Sequence, residues 1–141
     1  MSLPGVRLTR VAHFSSSLRY WNPELPEAEN RRLFGRRSET HGHNYRLEVT
    51  LQGEPDPVTG MVMDLKELQE ILDREIMSRF DHRDLNVDTP FFDKAPPTPE
   101  NLVLAIRRQL AAVLPQGLLA SIRLEEDAET FVEWFEDGSG A

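Results

Sequence analysis

The stretch HGHNYRLEVTLQGEPDPVTGMVMDLKEL, residues 41–68, changes its hydrophobic period halfway along. Tyr45, Leu47, Val49 and Leu51 alternate, which predicts a half-buried strand with these four on one face. The segment GEPDPVTGM, 53–61, then supplies turn chemistry. Beyond it Leu65, Leu68, Ile71, Leu72, Ile76 and Phe80 recur at helical spacing, with Asp64 placed to cap the first turn. A strand followed by an amphipathic helix is the consequence.

Working outward, RLTRVAHFSSS (7–17) alternates roughly and reads as a first strand. The excursion 18–40 holds prolines, a short helical piece around Glu27 to Leu33 and a glycine that ends it. After the main helix, DHRDLNVDTPFFDKAPP (81–97) is too rich in Asp, Pro and Asn for regular structure. Thr98 as N-cap and Pro99 at the first helical position open a second helix, with a stripe through Leu102, Ile106, Leu110 and Val113, ending at Pro115 and Gly117. The last segment alternates on both sides of a turn near Asp127 to Glu129, a terminal hairpin. The order predicts an α+β domain, an antiparallel sheet with helices on one face.

The 141 residues, 39% of them hydrophobic, suit a single domain over 1–141. A formal charge of -8 without a basic stripe argues against a nucleic-acid or anionic-membrane partner. The basic residues that cluster, Arg31, Arg32, Arg36 and Arg37, suit either a small polyanion or a solvated loop. Absence of cysteine excludes disulfides, thiolate metal sites and a cysteine nucleophile. No long apolar stretch marks a signal peptide or a membrane span, so a cytoplasmic location is expected.

His41 and His43 are two residues apart, so on a strand both point to one face and can both reach one zinc ion. The bland reading is two incidental polar histidines. A catalytic zinc site needs three protein ligands and an open position, and among histidines only His13 and His82 remain. Asp81 beside His82 is a natural acid–base pair, because a carboxylate can orient and raise an imidazole; adjacent side chains nevertheless rarely bond each other. The competing reading is a histidine favoured by a helix C-terminus.

RYWNPELPEAENRRLFG, HGHNYRLEVTLQGEPDPVTGMVMDLKEL, DHRDLN, TPENLVLAI and the acidic end hairpin, in this order over residues 7–136, resemble the 6-pyruvoyl-tetrahydropterin synthase family, which includes the 6-carboxy-tetrahydropterin synthases of queuosine biosynthesis. The resemblance implies the tunnelling fold, a four-stranded antiparallel sheet with two helices on one face, closing into barrel trimers that stack as hexamers with active sites between subunits. It further implies lyase chemistry on 7,8-dihydroneopterin triphosphate, a zinc held by three histidines, a cysteine base, an Asp-His relay and a glutamate anchoring the pterin ring. Carried across, His41 and His43 match two zinc ligands, Asp81 and His82 the relay, and Glu126 the pterin anchor, while Thr98 and Glu100 fall in the segment lining the pterin pocket. A glutamate there can accept two hydrogen bonds from the N–H edge of a pterin.

Two positions depart from the family. Leu18 stands where the first zinc histidine belongs, and Arg37 where the cysteine belongs; neither can do the lost work. His13 is the expected third ligand if a bulge turns it to the other strand face, and Glu39, two residues before His41, is the expected substitute base, with Ser38 a weaker one. The resemblance therefore implies either a divergent lyase on a reduced pterin or a degenerate paralogue that binds a pterin or serves in assembly. A further variant makes Arg37 a phosphate or carboxylate clamp.

Overall fold

A computed structural model describes residues 5–137 of the chain. Strands β1 (Val6–Leu18) and β2 (His41–Gly53) form one long antiparallel ladder, from Val6 opposite Gly53 to Leu18 opposite His41, with no break in register. β2 pairs with β4 (Leu119–Glu125), with a shift between Thr50 and Leu51, and β4 turns back into β5 (Phe131–Phe135). A fifth strand, β3 (Arg83–Asp84), lies parallel to β1 at its outer edge, giving the order β3-β1-β2-β4-β5. The four expected strands are thus joined by a short one inside the polar segment expected to be irregular. Backbone bonds hold it: His82 N–H donates to Ser15 O (2.7 Å) and Leu85 N–H to Ser17 O (2.8 Å).

Alternation sorts the two faces of the sheet. Phe14, Leu18, Tyr45, Leu47, Val49, Leu51, Ile122 and Leu124 are buried on one of them. Against that face pack α2 (Leu65–Leu72) and α4 (Pro99–Ala111), through Leu68, Leu72, Leu102, Ile106 and Leu110. The opposite face is polar: the Thr9 and Thr50 hydroxyls bond at 2.7 Å, and Arg46, Glu48, Arg123 and Glu125 form a charged network. Helices on one face of the sheet are therefore observed as expected.

Asp64 caps α2 by accepting from the Lys66 N–H at 2.9 Å. The single helix expected through Phe80 is divided: a π turn, Asp73–Met77, separates α2 from a last α turn, α3 (Ser78–Phe80). Leu68, Leu72, Ile76 and Phe80 step by four residues and stay fully buried, and the wide π turn keeps that row over the sheet. Leu65, ahead of the buried row, is exposed. Thr98 caps α4, accepting from Asn101 N–H. Val113 falls beyond the last helical residue and is exposed, and Leu114 takes the buried place instead.

The excursion between β1 and β2 carries α1 (Glu27–Phe34), stopped by Gly35 at φ +56, a conformation that favours glycine. Asn30, fully buried, ties the loop together by accepting from Asn22 N–H and donating to the carbonyls of Asn22 and Leu25. Tyr20 N–H then donates to Arg37 O at 2.7 Å, fixing both ends of the excursion beside the start of β2.

Candidate functional site

His41 and His43 lie on the helix-facing side of β2, and their rings meet edge to face with centroids 5.2 Å apart. His41 Nδ1 is 2.9 Å from the Glu39 carbonyl. In the tautomer that donates to this oxygen, the His41 Nε2 lone pair is free. Glu126, just past β4, extends its carboxylate to the same side, and its Oε1 lies 2.7 Å from His43 Nε2. The Glu126 N–H donates to Thr130 O, which holds the turn by backbone alone.

These groups share a cleft of about 580 Å³ with Tyr20, Phe34, Arg37, Thr98 and Glu100. Thr98 and Glu100 come from the start of α4, and Arg37 from the 3₁₀ turn that precedes β2. Arg37 and its neighbour Arg36 have no carboxylate partner among the described residues, whereas Arg31 and Arg32 are paired with Glu27 and Glu29 on α1. Two of the four clustered arginines are therefore spent within the helix. Tyr20 went unnoticed in the sequence. The signal was present, because it continues the buried row of Phe14, Ser16 and Leu18 at a spacing of two.

Several expected site residues are placed elsewhere. His13 is exposed and pairs across from Arg46, on the open face of the sheet opposite to His41 and His43. The bulge that would have turned it is absent from the continuous β1–β2 register, so His13 is corrected as a ligand. Glu39 is exposed and meets His41 through its backbone carbonyl, and its side chain is not among the groups lining the cleft. In the single chain its carboxylate therefore meets none of the groups lining that cleft. Ser38 is buried, its hydroxyl donating to Gly35 O at 2.6 Å.

Leu18 sits directly opposite His41, on the same face and only 1% exposed. Ser16, opposite His43, spends its hydroxyl on Phe80 O at 2.7 Å. Among the described residues no three His, Cys, Asp or Glu side chains converge so as to hold a metal ion. With an aliphatic side chain at the third position and His43 committed to Glu126, the zinc implied by the resemblance does not fit this donor set.

Asp81 and His82 occupy the far side of β1 from the histidine pair, at the start of β3. Although adjacent, they do bond: His82 Nδ1 is 3.1 Å from Asp81 Oδ2. A positive φ of 59 at His82 turns the two side chains together, a conformation that histidine tolerates better than most residues. The His82 side chain is 86% exposed and lines a second, open cleft with Ser15, Ser17, Asn44 and His43, so that His43 borders both clefts. The other Asp81 oxygen accepts from Ser15 N–H at 2.9 Å, and this bond, ahead of that from His82, holds the carboxyl below its usual range.

A carboxyl lowered in the folded state adds stability above its unfolded pKa, and loses it as pH falls through the folded value. Stability should therefore decline in acid, below about pH 4, partly through Asp81. Asp81→Asn keeps an oxygen for Ser15 but cannot titrate, so its melting temperature should fall less between pH 6 and pH 3 than that of the parent. Parallel melting curves across that range would refute the assignment.

Long antiparallel strands backed by two helices, with a titratable cleft where the second helix begins, define a tunnelling-fold domain with a small-molecule site. The comparisons name the family. A model of the 6-pyruvoyl tetrahydropterin synthase family matches residues 7–137, and the chain belongs to that family. It is 40% identical over 128 residues to the 6-pyruvoyl tetrahydrobiopterin synthase of Pongo abelii, covering 89% of this chain and 88% of that one. A dihydroneopterin monophosphate aldolase of Pyrococcus furiosus is 36% identical over 96 residues, covering 67% of this chain and 77% of that one. The structure of Caenorhabditis elegans 6-pyruvoyl tetrahydropterin synthase superposes with a TM-score of 0.90 at 32% identity, covering 97% and 99% of the two chains.

Proposed function

We propose that the chain is a lyase of the 6-pyruvoyl-tetrahydropterin synthase type, acting on 7,8-dihydroneopterin triphosphate or a related reduced pterin in tetrahydropterin or queuosine-precursor synthesis. The observation that carries this reading is the Glu126 carboxylate, bonded to His43 in a cleft that Thr98 and Glu100 also line, within a chain of that family. Glu126 holds His43 through one lone pair of Oε1 and keeps Oε2 and the remaining Oε1 lone pair to accept two hydrogen bonds from the N–H edge of the pterin. Arg37 and Arg36, free of carboxylate partners among the described residues, suit the phosphates of the side chain.

Elimination needs a base for a carbon-bound proton and a donor for the departing oxygen. His82 suits both tasks: Nδ1–H donates to Asp81, leaving Nε2 as the acceptor. The Asp81–His82 pair lies at the β3 edge, in an open cleft that His43 also borders, and in a homo-oligomer, a trimer or hexamer, a neighbouring copy would close over that exposed edge. Among the described residues no helix is long and apolar enough to cross a membrane.

Leu18 and Arg37 favour a second reading, a pterin-binding paralogue without lyase chemistry. Turnover separates the two. The purified chain given 7,8-dihydroneopterin triphosphate should release triphosphate or a side-chain fragment, followed by phosphorus NMR and chromatography. Tight pterin binding with no product would select the paralogue, and no pterin binding would remove both.

A further inference from the structure

We propose that the Tyr20 hydroxyl donates a hydrogen bond to the side-chain oxygen of the bound reduced pterin, with Arg37 beside it, supplying a polarisation for which this chain keeps no complete metal ligand set. The inference rests on the lyase reading and assigns it a catalytic residue.

Tyr20 is held as a positioned donor would be. It is 8% exposed, its N–H is fixed to Arg37 O at 2.7 Å, and its ring packs edge-on against Phe34 and tilted against His41, each with centroids 6.0 Å apart. The Arg37 guanidinium carbon lies 5.6 Å from the ring centroid. The hydroxyl bonds no protein group among the described residues and is not one of their buried unpartnered atoms, so it is open to a ligand from the cleft that Tyr20 lines. Tyr20 lines a cleft whose other polar groups include His41, His43, Glu126, Glu100 and Arg37.

Position supports the role. Leu18 blocks the place opposite His41, and Tyr20 is the next side chain in the same row, the first there with a polar atom reaching the cleft. An ordinary tyrosine phenol is already neutral at about pH 7 and so serves as a donor there. A neutral donor placed where negative charge develops on oxygen, with a cation nearby, stabilises that charge without moving a proton.

Tyr20→Phe retains the ring packing and removes only the donor. The expected result is a fall in kcat of about 100-fold with KM within about threefold, while chelator treatment leaves the parent's kcat unchanged. A kcat within threefold of the parent, or parental activity that is lost to chelator and restored by zinc, would overturn the proposal. A binding arm isolates it from the lyase reading: fluorescence titration with a 7,8-dihydropterin carrying a side-chain ketone and with its 6-methyl counterpart. The parent should prefer the ketone by about tenfold and Tyr20→Phe should lose that preference. If the parent releases no triphosphate, the lyase reading fails and this preference alone decides the donor role; its survival in Tyr20→Phe would end it.

Discussion

Leu18→His is expected to convert a chain that retains little zinc into one that retains about one ion per chain after dialysis. Leu18 and His41 are direct cross-strand partners, and such partners have Cα atoms about 4.5–5.5 Å apart with both side chains on one face. His43 lies two residues along on that same face, so the variant presents three imidazoles around one point. The His41 ring already has its Nδ1 on the Glu39 carbonyl, the kind of outer contact that leaves Nε2 aimed at a metal. His43 must exchange Glu126 for the ion, which costs a hydrogen bond and is offset by coordination. Without metal the variant should be less stable than the parent, because an imidazole replaces an aliphatic side chain that is 1% exposed. Added zinc should raise its melting temperature and leave the parent's unchanged. Elemental analysis reads the result; a parent that purifies with stoichiometric zinc, or a variant that binds none, would show that position 18 does not decide metal occupancy.

The long ladder was legible because alternation on β1 and β2 states which face is buried, and parity alone then placed His41 with His43 and against His13. Leu18 as the lost ligand position was legible only through the family motif, and the β1–β2 register then puts it directly across from His41. The convergence of Arg37, Thr98, Glu100 and Glu126 on the histidines was available only through the family resemblance, because these residues come from separate elements whose approach no local pattern encodes. Three features were hidden for physical reasons. β3 is two residues held by backbone bonds, with no side-chain period to betray it. The Asp81–His82 bond depends on a left-handed backbone at His82. Glu39 is close to His41 in sequence, yet the strand start sends its carbonyl, not its carboxylate, to the ring.

Glu126→Ala should weaken dihydropterin binding by about 100-fold or more, since it removes two hydrogen bonds to a charged acceptor, each contributing about 1.5–3 kcal/mol. The fold should survive. The turn that carries Glu126 is closed by its own N–H on Thr130 O, a bond that alanine keeps, and the neighbouring strand is anchored by Leu124 and Ile122 in the core. Glu126→Gln separates anchoring from mere shape: the amide fills the same space but turns an N–H₂ toward the N–H edge of the pterin, so a large loss should persist. His43 offers an internal control. If Glu126 mattered only by holding that ring, His43→Ala would reproduce the entire loss of affinity; as an anchor, Glu126 should cost more than its partner does. Calorimetric titration with a dihydropterin lacking phosphates keeps the arginines out of the comparison. A loss under about fivefold in Glu126→Ala, far below what two charged hydrogen bonds are worth, would place the ring elsewhere in the cleft and leave Glu126 as an orienting partner of His43.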